Sequence, residues 1–168
     1  MSAWPAGAHY TRGVDADVVF AVLGALQREG VHYKVIGGVA MNLVGLPRAT
    51  QDLDIVVAAD DANVARLRVA LDSVFHDPEI AGIVTSDLTG DYPAIQYVPP
   101  TGTFHVDILN RLGEAWSYED IETDVVTVEG IRVPVATPRM LVRMKENTVR
   151  LQDRADAQRL RARFGLED

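Results

Sequence analysis

One short stretch, Gln51-Asp52-Leu53-Asp54-Ile55-Val56-Val57, constrains the fold of this 168-residue chain more than any other. Its aliphatic residues favour an extended strand. In a strand, successive side chains point to opposite faces, so Leu53, Ile55 and Val57 take one face and Asp52 and Asp54 the other. The two carboxylates then stand roughly 6.5 Å apart along the strand. Aspartate is depleted in strands, so a sheet that accepts two on one face must offer that face water, a cation or a metal ion. A solvated strand end is the simplest account of an isolated Asp-x-Asp. The neighbouring elements change that balance.

A strand over residues 33–36 runs into Gly37-Gly38, and a helical turn or two over 40–44 ends at Gly45-Leu46-Pro47. Upstream, Val18, Val19, Val22, Leu23 and Leu26 recur at helical spacing, with Asp15 as a cap and Gly30 as a stop. Residues 1–13 read as an irregular arm. After the Asp-x-Asp strand, Asp60-Asp61 open a helix carrying Val64, Leu67, Val69, Leu71 and Val74. Residues 76–91 are loop-like, with a short strand expected at 83–85. Two further strands follow at 94–98 and 104–109. Val125–Val128 and 131–135 flank Glu129-Gly130 as a hairpin. Thr137-Pro138 then caps a helix to about Arg150, and a last helix covers about 153–163. The expectation is one α/β (α+β) domain over 1–168: a small mixed sheet, helices packed on one face, the carboxylates at one edge, and a C-terminal helical pair over 137–165.

Composition narrows the function classes. With no cysteine, disulfides and thiolate metal sites are excluded. No window reaches the ~18 apolar residues of a membrane span, and the first residues lack the pattern of a secretory signal, which leads to a cytoplasmic expectation. The net charge of -8 disfavours a broad nucleic-acid footprint, although Arg and Lys gather between Arg139 and Arg163.

A third carboxylate, Asp107, alternates with Val106 and Ile108 and leaves the apolar face. If its strand neighbours the Asp52–Asp54 strand, three carboxylates converge, as a two-metal phosphoryl-transfer site requires. Their hard oxygens suit Mg²⁺ (or Mn²⁺). Gly37 and Gly38 let backbone approach a phosphate closely; taken alone, a plain tight turn is the simpler account of them. Lys145 lies on a partly apolar helix face, where it either snorkels outward or meets an anion. Arg48 contacts phosphate or pairs with an aspartate. His105 can sit near the site, although a packed or solvated histidine is the simpler account. Asp153 and Asp156 can serve as helix-end charges. Trp4 and Trp116 suit core, interface or ligand stacking.

Taken together, Val35-Ile36-Gly37-Gly38 followed by Arg48-Ala49-Thr50-Gln51-Asp52-Leu53-Asp54 resembles the first motif of the nucleotidyltransferase superfamily. The Arg-x-Thr-x-Asp-x-Asp form looks most like the AbiEii/AbiGii toxin-type branch. Phe104-His105-Val106-Asp107 is similar to the strand that delivers the third carboxylate, and Lys145 with Arg150, Asp153 and Asp156 is similar to that branch's C-terminal segment. The resemblance implies Asp52, Asp54 and Asp107 as catalytic and metal-binding residues. It implies Gly37, Gly38, Arg48, Thr50, Lys145 and Asp153 as nucleotide-binding. The implied reaction moves a nucleoside monophosphate from an NTP to a hydroxyl on a tRNA end, a protein or a small molecule, with a cognate antitoxin as an expected partner. The alternative is a non-catalytic nucleotide-binding or protein-interaction module on the same fold.

Overall fold

A computed structural model describes residues 16–91, 93–100, 104–146 and 150–167. The expected arm over 1–13, the Asp15 cap and Trp4 lie outside them. Helix α1 (Ala16–Arg28) buries Val19, Val22, Leu23 and Leu26 and stops at Gly30, whose φ of 67° closes the helix with a left-handed residue. Strand β1 (Tyr33–Ile36) passes directly into α2 (Gly37–Leu43). The two glycines are thus the first residues of the helix and not a turn ahead of it. After β2 (Asp52–Val57), helix α3 (Asp61–Phe75) is capped by Asp60, whose carboxylate accepts from the Asn63 amide at 2.8 Å.

Between α3 and β3 (Ala94–Tyr97) the chain forms two short 3₁₀ turns, Pro78–Gly82 and Thr85–Leu88, and the strand expected at 83–85 is not formed. The Ile83 carbonyl accepts from Arg68 Nη1 at 2.7 Å in place of a ladder partner, and Asp87 returns to the Val84 amide. Local side-chain bonds of this kind compete with strand pairing. Next come β4 (His105–Leu109), the short strands β5 (Arg111–Leu112) and β6 (Trp116–Ser117), β7 (Thr123–Val128) and β8 (Ile131–Ala136). The β7–β8 hairpin turns on Glu129 and Gly130, both at positive φ. Helix α4 (Pro138–Glu146) starts where Thr137 Oγ1 accepts from the Met140 amide at 3.1 Å. Its described residues run to Glu146, and the expected continuation over 147–149 lies outside the described residues; α5 (Leu151–Phe164) completes the fold. The two-residue strands β5 and β6 carry too little periodicity to be read from sequence.

The main sheet has the order β3-β4-β2-β1-β8-β7. Strand β2 runs antiparallel to β1 and parallel to β4. The acidic strands are therefore interior, where an edge position was expected. Leu53, Ile55 and Val57 make β2 worth burying between two partners, and a strand of that composition left at an edge would waste their packing.

Register separates the two faces. Val35 lies opposite both Ile55 and Val135, and Ile55 opposite Ile108. These residues are fully or almost fully buried. Helix α1 covers this face, where a Cβ on Gly24 would stand 3.6 Å from Ile131, and α3 packs beside α1. Each fully buried Val, Leu or Ile contributes roughly 1.5–3 kcal/mol relative to exposure. The opposite face carries Lys34, Asp52, Asp54, His105 and Asp107. Lys34 Nζ donates to the carbonyls of Tyr118 and Ile121, at 2.5 and 2.9 Å, which draws the segment after β6 across that face. No helix among the described residues is long and apolar enough to cross a membrane.

Candidate active site

Parallel pairing of β2 with β4 sets Asp52 opposite His105 and Asp54 opposite Asp107. Because partners share a face, the four side chains form a compact square on the polar face. Asp107 thus joins the Asp52–Asp54 pair as the convergence of three carboxylates requires. Ligand atoms of Asp52, His105 and Asp107 all lie within 4.8 Å of one another. Asp54 faces Asp107 across the β2–β4 ladder.

Electrostatics mark this square as unusual. Burial, the hydrogen bond and charge of Asp107, and the charge of Asp52 together push Asp54 up to about 7, with Lys145 opposing the shift. The charges nearest Asp54 on this face, Asp107 and Asp52, have its own sign and so disfavour its ionisation. Burial also raises Asp52 above the ordinary carboxylate range, with Asp107 adding to the shift and His105 countering it. Among the described residues, no lysine or arginine forms an ion pair with Asp52, Asp54 or Asp107. Asp52 Oδ1 is buried without a well-aligned donor and lies against His105 Nε2. A surplus of carboxylate oxygens, one of them orphaned, fits a divalent cation.

Glycine at 37 and 38 has a local cause that differs from the expected one. A Cβ on Gly37, whose φ is 71°, would fall on Asp54 Oδ2. One on Gly38 would stand 2.8 Å from Thr50 Cβ. The pair is therefore required by the site's own side chains, whatever else approaches it. Thr50 accepts from the Asp52 amide at 3.2 Å and donates to the Asp52 carbonyl at 3.1 Å, which sets the entry of β2. Buried Asn42, which the sequence did not single out, holds the preceding loop. Its side chain donates to the carbonyls of Gly38 and Arg48 and accepts from the Arg48 amide.

At the far end, Lys145 meets anions of the chain itself. Its ammonium lies 3.5 Å from Asp153 and 3.2 Å from Asp156. Asp156 is fully buried and also receives Arg48 Nε at 3.1 Å and Gln152 at 3.0 Å. Of the two readings of Arg48, pairing with an aspartate is the arrangement formed. Asp156 is accordingly the centre of a polar network and not a helix-end charge.

Beside the acidic square opens a cleft of about 450 Å³, bordered by Gly37, Leu112, Trp116, Leu141, Arg143 and Lys145. That volume suits a small organic ligand. The Arg143 guanidinium lies over the Trp116 ring, 5.5 Å from its centroid. Neither Trp116 nor Arg143 carried a distinguishing sequence signal. His105 did, by sitting two residues before Asp107 on the same strand.

No protein-family model matches the chain, and no curated protein matches it at a significant level. Solved structures do. A nucleotidyltransferase-like antigenic protein from Paracoccidioides brasiliensis superposes with a TM-score of 0.55 and 18% identity, over 88% of this chain and 77% of that one. A provisionally assigned nucleotidyltransferase from Thermotoga maritima has a TM-score of 0.47 and 17% identity, over 94% and 99% of the two chains. The chain has a nucleotidyltransferase-like fold.

Proposed function

We propose that this chain transfers a nucleoside monophosphate from an NTP to a hydroxyl acceptor and releases pyrophosphate. The observation that supports it most directly is the facing pair Asp54 and Asp107, with Asp52 beside them, at the edge of a cleft rimmed by Lys145. In the reaction, the acceptor oxygen attacks the α-phosphorus. The bond from that phosphorus to the bridging oxygen breaks, and pyrophosphate leaves with its electron pair. Asp107 takes the acceptor proton. Lys145, held at the cleft by Asp153 and Asp156, offsets negative charge on the leaving phosphates. Gly37 presents its backbone to the phosphate chain at the cleft wall, and Trp116 offers a flat apolar surface to the base. Thr50 and Arg48 act at one remove, by setting Asp52 and Asp156.

Asp52, Asp54 and Asp107 would hold Mg²⁺ or Mn²⁺, which supplies charge neutralisation and orientation of the phosphates. A tRNA end, a protein side chain or a small molecule can supply the hydroxyl. The motif's likeness to the toxin-type branch supports a toxin role with a cognate antitoxin, which growth arrest on expression would test. For the transfer itself, the test is incubation with each α-labelled NTP, a divalent ion and pools of the three acceptor classes. Label transfer that vanishes in Asp54→Asn supports the proposal. Transfer that survives the double change Asp52→Asn with Asp54→Asn overturns it.

A further inference from the structure

We infer that His105 Nε2 is a metal ligand together with Asp52 and Asp107, so that the site takes a first-row transition ion such as Mn²⁺ in preference to Mg²⁺. This rests on the proposed role of Asp52 and Asp107 as metal-holding carboxylates. It adds a nitrogen to a site otherwise built from oxygen.

Three observations carry it. First, register places His105 directly across from Asp52 on the polar face, with Asp107 two residues along the same strand. Second, the three ligand atoms lie within 4.8 Å of one another. Ligands about 2.1 Å from an octahedral ion stand roughly 3–4.2 Å apart, so small side-chain adjustments place all three around one centre. Third, the His105 nitrogen already lies against a buried carboxylate oxygen that has no well-aligned donor. The His105 side chain is only 22% exposed, so the ring is held at the site and not swung out to water.

The chemistry of the donors then sets selectivity. Mg²⁺ favours oxygen and gives up its waters reluctantly. Imidazole suits first-row transition ions, and a mixed nitrogen and carboxylate set shifts preference toward them. A histidine that merely pairs with Asp52 would show no bond to a bound ion, which separates the two roles.

The test uses the full chain, stripped of metal and without nucleotide. Mn²⁺ is titrated and followed by electron paramagnetic resonance, with pulsed measurements for nitrogen coupling and ¹⁵N-histidine labelling to assign it. Mg²⁺ competition gives the preference. Wild-type protein is expected to show histidine-nitrogen coupling. In His105→Gln the coupling should vanish and the Mn²⁺-over-Mg²⁺ preference should fall by about tenfold or more, while His76→Gln leaves both unchanged. Bound Mn²⁺ without nitrogen coupling in wild type overturns the inference, as does an unaltered preference in His105→Gln. The wild-type measurement stands even if a variant fails to fold, and His105→Asn provides a second substitution. Nitrogen coupling without transfer to any acceptor would sustain this inference while sinking the proposed reaction. Transfer with unchanged ion preference in His105→Gln would do the reverse.

Discussion

Two clusters of charged side chains lie close together in this molecule, and they are satisfied in opposite ways. Around Asp156, one fully buried carboxylate is met by Arg48, Lys145 and Gln152. Around Asp54, three carboxylates share one histidine and, among the described residues, no ion pair with lysine or arginine. A fully partnered buried charge is what folding alone requires. An excess of like charge on a buried face costs folding energy, and it persists where a ligand completes it. Lys145 spans the two clusters: it is bonded to Asp156, and its charge opposes the upward shift of Asp54. The contrast separates residues that build the protein from residues kept for chemistry.

The sharpest way to break the contrast is on the acidic side. Asp54→Asn should lower nucleotidyl transfer by on the order of 10³-fold, about 4 kcal/mol of barrier, while circular dichroism stays native. A modest loss in a folded variant would remove Asp54 from the chemistry. On the partnered side, Asp156→Ala leaves three cations, Arg48, Lys145 and Arg159, near a vacated buried site. It should destabilise the fold by roughly 3 kcal/mol, read as a lower midpoint in urea. A neutral result would mean that the network contributes nothing to folding.

Gly37→Ala tests the junction between strand and helix. Its Cβ would collide with Asp54 Oδ2 at a positive φ, so the change should cost roughly 1–3 kcal/mol and depress transfer as Asp54 is displaced. Normal transfer with normal stability would show that the carboxylate can move without consequence.

The smallest expected effect concerns pH. Asp54 is pushed up to about 7, above its unfolded value of about 4. Between those values the native state binds more protons than the unfolded state, so its contribution to stability is complete below pH ~4 and is lost as pH rises through ~7. Asp54→Asn should therefore raise the metal-free melting temperature at pH 8 by a few degrees, roughly 2–4 °C per kcal/mol, and by less at pH 5. A variant less stable than wild type at pH 8 would show that the ionised carboxylate has partners that the contrast denies it.

Much of the fold was legible because period and punctuation agree. The α1 apolar spacing, the Asp60 cap, the alternation in β2 and β4 and the Glu129-Gly130 hairpin each have a local cause. The strand expected at 83–85 failed because Arg68 and Asp87 bind that backbone locally. The minor strands β5 and β6 are too short to show a period. Glycine at 37 and 38 was legible as a close approach, but its object was not. What approaches is Asp54 and Thr50, which only the packing of α2 against β2 reveals.

By itself the sequence determined which residues share a face, since the two-residue period of a strand puts Asp52 with Asp54 and His105 with Asp107. The tertiary structure alone decided that β2 and β4 are parallel neighbours in the register that sets each aspartate against its partner. It also brought Arg48 to Asp156, 108 residues away, and Trp116 to the cleft. The reason is physical. Side-chain direction follows from local backbone geometry, whereas neighbourhood follows from which apolar faces can be buried together, and that is a property of the whole chain.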